Sequence, residues 1–199
     1  MQESGGALST LDPREPFVVS IRDLGRRAGA MQRISRTAPA AADLGTALAR
    51  VPEGADVDLD LRLESVVEGV LVSGTVTVPV HAECARCLEP FSWEEVTDIQ
   101  ELFVYAPQDA RGHRVEVPQA EGEEDAPPSI EGDLIDLEPT VRDAVVLRLP
   151  MAPTCREDCA GLCSVCGARL DEDPGHGHET NDPRWAALSA LREKEVEED

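Results

Sequence analysis

Val57-Asp58-Leu59-Asp60-Leu61-Arg62-Leu63-Glu64 alternates strictly between apolar and polar residues. After a turn near Glu68-Gly69 the alternation resumes, with Val70, Val72, Val76, Val78, Val80 and Ala82 on one face. Leu71, Ser73, Thr75, Thr77 and His81 point the other way. A period of two over this length, rich in β-branched side chains, predicts two long antiparallel strands with one face buried. Phe91 to Tyr105 reads as a third, less regular strand. The N-terminal half is therefore expected to be an antiparallel β-sheet or a small β-barrel. Aromatic residues make up only 3% of the chain, so its core must be built from Val, Leu, Ala and Ile.

Outward from these strands the chain becomes less regular. Residues 1–13 are expected to be a disordered N-terminus, and 14–107 a β-rich domain with a basic loop. Within it, Phe17 to Ile21 is a short strand and the Arg- and Gly-bearing stretch after it a loop. Ala40 to Arg50 is expected to be a short helix, with Leu44 and Leu48 on one face. Residues 108–132 form an acidic linker around Glu121-Gly122-Glu123-Glu124-Asp125, which can bury little. Residues 133–193 hold a short strand at Asp133–Leu137 and a helix opened by Pro139, with Val141, Val145 and Leu149 on one face and Pro150 as its stop. The cysteine segment follows, then a terminal helix with Asp182 as N-cap. An acidic tail fills 194–199. The fold class is α+β, with short helices, a C-terminal metal knuckle and a terminal helix.

Charge restricts the partners. Forty Asp and Glu against eighteen Lys and Arg give a net charge of −22, which argues against wrapping naked nucleic acid with the whole surface. The distribution is uneven. Arg22, Arg26, Arg27, Arg33 and Arg36 have only Asp23 among them, a basic arm on an acidic body. Such a body suits a partner of mixed charge, such as a ribonucleoprotein, or a basic protein held by its acidic face. The start of the chain has neither a charged n-region nor an apolar core like a secretory signal, and no apolar run approaches membrane-spanning length. The expected location is the cytoplasm, with no membrane partner. Six cysteines in a reducing compartment point to metal ligation rather than disulfides.

Cys155, Cys159, Cys163 and Cys166 lie within a dozen residues, and Gly167 follows the last. Cys163-Ser164-Val165-Cys166-Gly167 has the shape of a zinc knuckle: two thiolates reach one ion while the glycine allows the tight turn beneath. Four thiolates close a tetrahedral structural site, so these four are the expected ligands of a structural zinc ion. Two further features leave the ligand set open. His176 and His178 have the spacing to replace one or two cysteines. Cys84-Ala85-Arg86-Cys87, at the end of the second long strand, could join Cys163 and Cys166 in a two-knuckle ribbon. It could also be a redox pair, although a βαβ context is lacking.

Taken in order, these pieces resemble the YceD-like family, named for a bacterial protein needed for accumulation of the large-subunit ribosomal RNA. They are Cys84-Ala85-Arg86-Cys87-Leu88-Glu89-Pro90-Phe91, Asp136-Leu137-Glu138-Pro139 leading to Val146-Leu147-Arg148-Leu149-Pro150, the run from Cys155 to Gly167, and Asp182-Pro183-Arg184-Trp185. Many relatives carry Cys-x-Cys where this chain has His176-Gly177-His178. The resemblance implies a non-catalytic factor for 23S ribosomal RNA accumulation and large-subunit assembly. It would act by binding rRNA, a basic ribosomal protein, or both on the large-subunit precursor. A gene for a small large-subunit ribosomal protein commonly lies beside members of the family, and the Arg22–Arg36 arm would touch RNA phosphate. No phosphate-binding loop or Gly-x-Ser-x-Gly elbow marks an enzyme, and no small-molecule substrate is expected. The alternatives are a thiol redox protein using Cys84 and Cys87, and an acidic carrier for one basic ribosomal protein.

Overall fold

The computed structural model describes residues 11–105 and 127–178. Contacts divide the chain into two compact units, Met1–Ala85 with Glu89–Cys155 and Arg86–Leu88 with Arg156–Asp199. Each is described by itself.

The first unit is built on the alternating stretch. β4 (Asp56–Ser65), β5 (Gly69–Glu83) and β6 (Pro90–Tyr105) form a continuous antiparallel meander. Val57, Leu59, Leu61 and Leu63 from β4 share one face with Val70, Val72, Val76, Val78 and Val80 from β5, all essentially without solvent exposure. Ile99 and Phe103 of β6 continue this face. β2 (Met31–Pro39) adds to the outside of β4, and the short β3 (Ala49–Arg50) pairs with β5. β7 (Ser129–Ile130) pairs in parallel with β6. The sheet runs β2-β4-β5-β6-β7 and is open rather than closed into a barrel. β1 (Val18–Ser20) and β8 (Leu134–Asp136) make a separate two-stranded ladder. The helix α1 (Glu138–Arg148) lies against β6, burying Val141 and Val145. Pro139 occupies its first turn, where a missing N–H costs nothing. Asp136 Oδ1 accepts from the Glu138 N–H at 2.9 Å.

Three sequence expectations differ from the fold. Ala40 to Arg50 is not a helix. Arg142 of α1 donates to the Ala42 and Asp43 carbonyls at 3.2 and 3.1 Å, while Thr46 N–H bonds Ala49 O and Val51 N–H bonds Leu44 O. The backbone groups a helix would use are thus taken by a tight turn and a long-range arginine. Gly45 sits where an added Cβ would lie 2.5 Å from the Arg50 Cα, a backbone approach closed to other residues. Secondly, the second half of the expected basic loop is strand β2, in register from Met31 opposite Glu64 to Pro39 opposite Asp56. Part of the expected acidic linker is likewise ordered, since Ser129–Ile130 is β7. The expected disordered residues 1–10, the centre of the linker and the terminal helix lie outside the described residues.

Candidate functional site

The six cysteines and two of the histidines form two groups of four. The ligand atoms of Cys84, Cys87, Cys155 and Cys159 all lie within 4.8 Å of one another, and so do those of Cys163, Cys166, His176 and His178. No disulfide links any of the cysteines. The four cysteines expected to share one ion are therefore placed in two sets: Cys155 and Cys159 with the strand-end pair, and Cys163 and Cys166 with the histidines. The two-knuckle ribbon of Cys84 and Cys87 with Cys163 and Cys166 is not the arrangement found.

Each Cys-x2-Cys is held by the same kind of turn. At the end of β5 the Cys84 N–H bonds Glu89 O at 2.9 Å, and Leu88, just past the second cysteine, has φ of 61°. In the second unit the Cys163 N–H bonds Ala168 O and the Gly167 N–H bonds Cys163 O, both at 2.8 Å, with Gly167 at φ of 72°. A left-handed residue follows the second cysteine in both, a glycine in one and a leucine in the other. For a non-glycine residue this conformation costs roughly 1–2 kcal/mol. Gly167→Val is therefore expected to weaken metal retention roughly five- to thirtyfold, whereas Leu88→Gly, which removes the same strain, should hold metal at least as tightly as the unaltered chain. Competition with a chromogenic chelator measures both.

Around Cys84, the Ala85 N–H bonds Pro153 O at 2.7 Å, which brings the approach to Cys155 beside the strand end. Within the second unit, Arg86 Nη1 donates to the carbonyls of Glu157 and Cys159 at 3.2 and 3.0 Å, and Arg86 O accepts from the Leu162 N–H. Gly161 packs so close to Arg86 O that a Cβ there would sit 3.0 Å from it. Arg86, inside the Cys-x2-Cys, positions Cys159. Sequence spacing gave no signal for that role. Cys84, Cys87 and Cys159 are buried.

Among its described residues the second unit buries no large apolar side chain. Its buried residues, among those described, are Cys87, Cys159 and Gly161. It is knit by polar contacts: Arg156 pairs with Asp171, whose carboxyl is held below its usual pKa chiefly by that guanidinium. Asp171 also accepts from the Ala160 N–H at 3.3 Å. At the knuckle, the Cys163 thiol is drawn down to about 6, first by the Cys166 and then by the Val165 backbone N–H groups directed at its sulfur. A segment whose buried side chains are thiols, with four-donor sets of sulfur and imidazole, has the chemistry to hold metal ions and to draw folding energy from them.

The five arginines of the expected basic arm do not converge. Arg22 pairs with Asp133 at 3.5 Å, and Arg26 lies over the Tyr105 ring at 5.0 Å. Arg27 is exposed in the loop before β2. Arg33 lies opposite Arg62 across the outer sheet face. Arg36 is on the core side, donating to Val18 O at 3.2 Å.

The outer face of the sheet is polar. Register places Ser35, Asp60, Thr75 and Asp98 in one row and Thr37, Asp58 and Thr77 in the next. Glu64 and Glu94 share this face, against Arg33 and Arg62. Two shallow clefts of about 420 and 460 Å³ open on it.

Comparison with known proteins fits these landmarks. Residues 72–192 match the family described as large ribosomal RNA subunit accumulation protein YceD, from β5 through both donor groups. The chain belongs to the YceD family. Proteins of Mycobacterium bovis and Mycobacterium tuberculosis, each described as uncharacterized, are 47% identical over 173 residues, covering 87% of this chain and 80% of theirs. A Mycobacterium leprae protein with the same description is 42% identical over 181 residues, covering 91% of this chain and 80% of its own length. No solved structure matches the YceD chain. No helix among the described residues is long and apolar enough to cross a membrane.

Proposed function

We propose that this YceD-family protein is a non-catalytic cytoplasmic factor for 23S ribosomal RNA accumulation, acting in large-subunit assembly by binding a basic ribosomal protein. The family match over residues 72–192 carries the reading. The outer sheet face supports the mode of action. Asp58, Asp60, Glu64, Glu94 and Asp98 outnumber the two arginines there, and Ser35, Thr37, Thr75 and Thr77 add hydroxyls to the face. Such a surface attracts a cationic partner and accelerates its docking, and it repels bare phosphate. Among the described residues, Arg22, Arg26, Arg27, Arg33 and Arg36 are dispersed and give RNA no comparable patch. Zinc in the four-cysteine group Cys84, Cys87, Cys155 and Cys159 is structural in this reading. Burial of Cys84 and Cys87 argues against thiol exchange, because a thiolate must reach its substrate's sulfur to attack it.

The test is a sucrose gradient of ribosomal particles from cells lacking the protein and complemented with the chain or with Asp58→Asn/Asp60→Asn/Asp98→Asn. Depletion should accumulate a large-subunit precursor, and the tagged chain should travel on it. The triple variant should fold normally and lose most of that association. A normal particle profile on depletion would defeat the assembly role. Unchanged association of the triple variant, with RNase releasing the chain, would move the contact to RNA.

A further inference from the structure

We propose that Cys163, Cys166, His176 and His178 bind a second zinc ion, separate from any ion in the four-cysteine group, so that the chain carries two tetrahedral sites of different donor chemistry. The inference stands independently of the ribosomal role.

The geometry of three donors is decisive. Cys166 Sγ lies 3.1 Å from His176 Nε2 and 3.1 Å from His178 Nε2, and the two Nε2 atoms are 2.9 Å apart. The rings meet edge to face, with centroids 4.7 Å apart. Each Nε2 offers a single in-plane site, either a proton or a lone pair. Hydrogen bonds can therefore satisfy at most two sides of this triangle. Two lone pairs and a thiolate aimed at one cation satisfy all three. With Zn–S of about 2.3 Å and Zn–N of about 2.0 Å, a regular tetrahedron has S···N edges of about 3.5 Å and N···N edges of about 3.3 Å. The observed separations fall within about half an ångström of these. Cys163 Sγ supplies the fourth corner, within 4.8 Å of the other three.

The surroundings suit a dication. Val165 N–H points to Cys163 Sγ at 3.4 Å, the backbone-to-sulfur contact that supports a bound thiolate. Asp173 Oδ2 lies 3.8 Å from His176 Nδ1, on the far side of the ring from the donor triangle. A carboxylate there favours the proton on Nδ1 and the lone pair on Nε2. Two thiolates with two neutral imidazoles leave a site with no net charge, and S2N2 tetrahedral donors select zinc among common cellular dications. Both sulfurs bind as thiolates, so binding displaces whatever thiol proton remains.

The test is metal content of the purified full chain by mass spectrometry, with the cobalt-substituted protein's visible spectrum as a second readout. The chain should hold two zinc ions. His176→Ala/His178→Ala should hold one and lose the higher-energy cobalt bands of a mixed sulfur–nitrogen site, leaving the four-thiolate spectrum. His176→Cys/His178→Cys replaces nitrogen by sulfur without removing donors. It should keep two ions and convert the whole spectrum to the four-thiolate form. One ion in the unaltered chain would overturn the proposal. So would a spectrum that neither histidine replacement changes, because the second ion would then have other ligands.

Discussion

Stripping metal from the full chain with a strong chelator is expected to unfold residues 156–178 while leaving the β-sheet intact. Hydrogen exchange should show protection in this segment falling by several orders of magnitude, with β4, β5 and β6 unchanged. The expectation follows from where apolar area is buried. The sheet unit encloses a continuous core of Val, Leu and Ile from β4 and β5, Phe103, and the Val141–Val145 stripe of α1. Each such side chain contributes about 1.5–3 kcal/mol on burial. The second unit encloses two thiols and a glycine among its described residues. Ordering more than twenty residues costs on the order of 1–2 kcal/mol each, and its surface ion pairs return little of that. Structural zinc in small peptides supplies about 10–16 kcal/mol per ion. Among the contributions of the described residues, only metal binding would reach the required size. Equal protection with and without chelator would show that the polar contacts suffice and would reduce the ions to accessories.

The same contrast explains which features were legible in the sequence. β4 and β5 were readable because a sheet with one buried face imprints a period of two on every residue. β2 was not. It is an edge strand whose core-side residues are Gln32, Ile34, Arg36 and Ala38, and Arg36 spends its charge on the Val18 carbonyl instead of solvent. Its pattern looks like a basic loop because edge pairing asks little of side chains. Ala40 to Arg50 misled in the opposite way: Leu44 and Leu48 have helical spacing, but Arg142, about a hundred residues away, claims the local carbonyls. The metal donors were recognisable as donors, since Cys-x2-Cys is a local signal. Their partition was not, because the Cys84–Cys87 pair reaches its partners across some seventy residues. One clue was available in composition. Six cysteines with His176-Gly-His178 make eight donors, enough for two complete tetrahedra.

Gly69→Ala and Gly74→Ala should each destabilise the sheet by more than about 3 kcal/mol while leaving metal content per folded chain unaltered. These glycines lie in β5, the strand hydrogen-bonded on both sides. A Cβ at position 69 would meet Phe103 O at 1.9 Å and Val104 Cα at 2.9 Å. At position 74 it would meet Asp60 O at 2.1 Å and Leu61 Cα at 2.9 Å, and φ there is 154°, a value that side chains other than glycine's rarely adopt. The obstructing atoms are backbone in both cases, so relief requires β4 or β6 to move from β5. That disrupts the packing of Leu61 and Phe103, both almost fully buried. Chemical denaturation should show a lower midpoint for each variant, and urea-free metal analysis should show the same ion stoichiometry for the folded fraction. A midpoint within a few tenths of a molar of the unaltered chain would mean that β5 tolerates local separation. Set against the chelator experiment, these variants perturb the hydrophobic unit without touching a donor, whereas chelation removes the ions without touching the core. If particle association fails in the glycine variants but survives chelation, the partner reads the sheet face; the reverse outcome would place recognition on the metal-bearing unit.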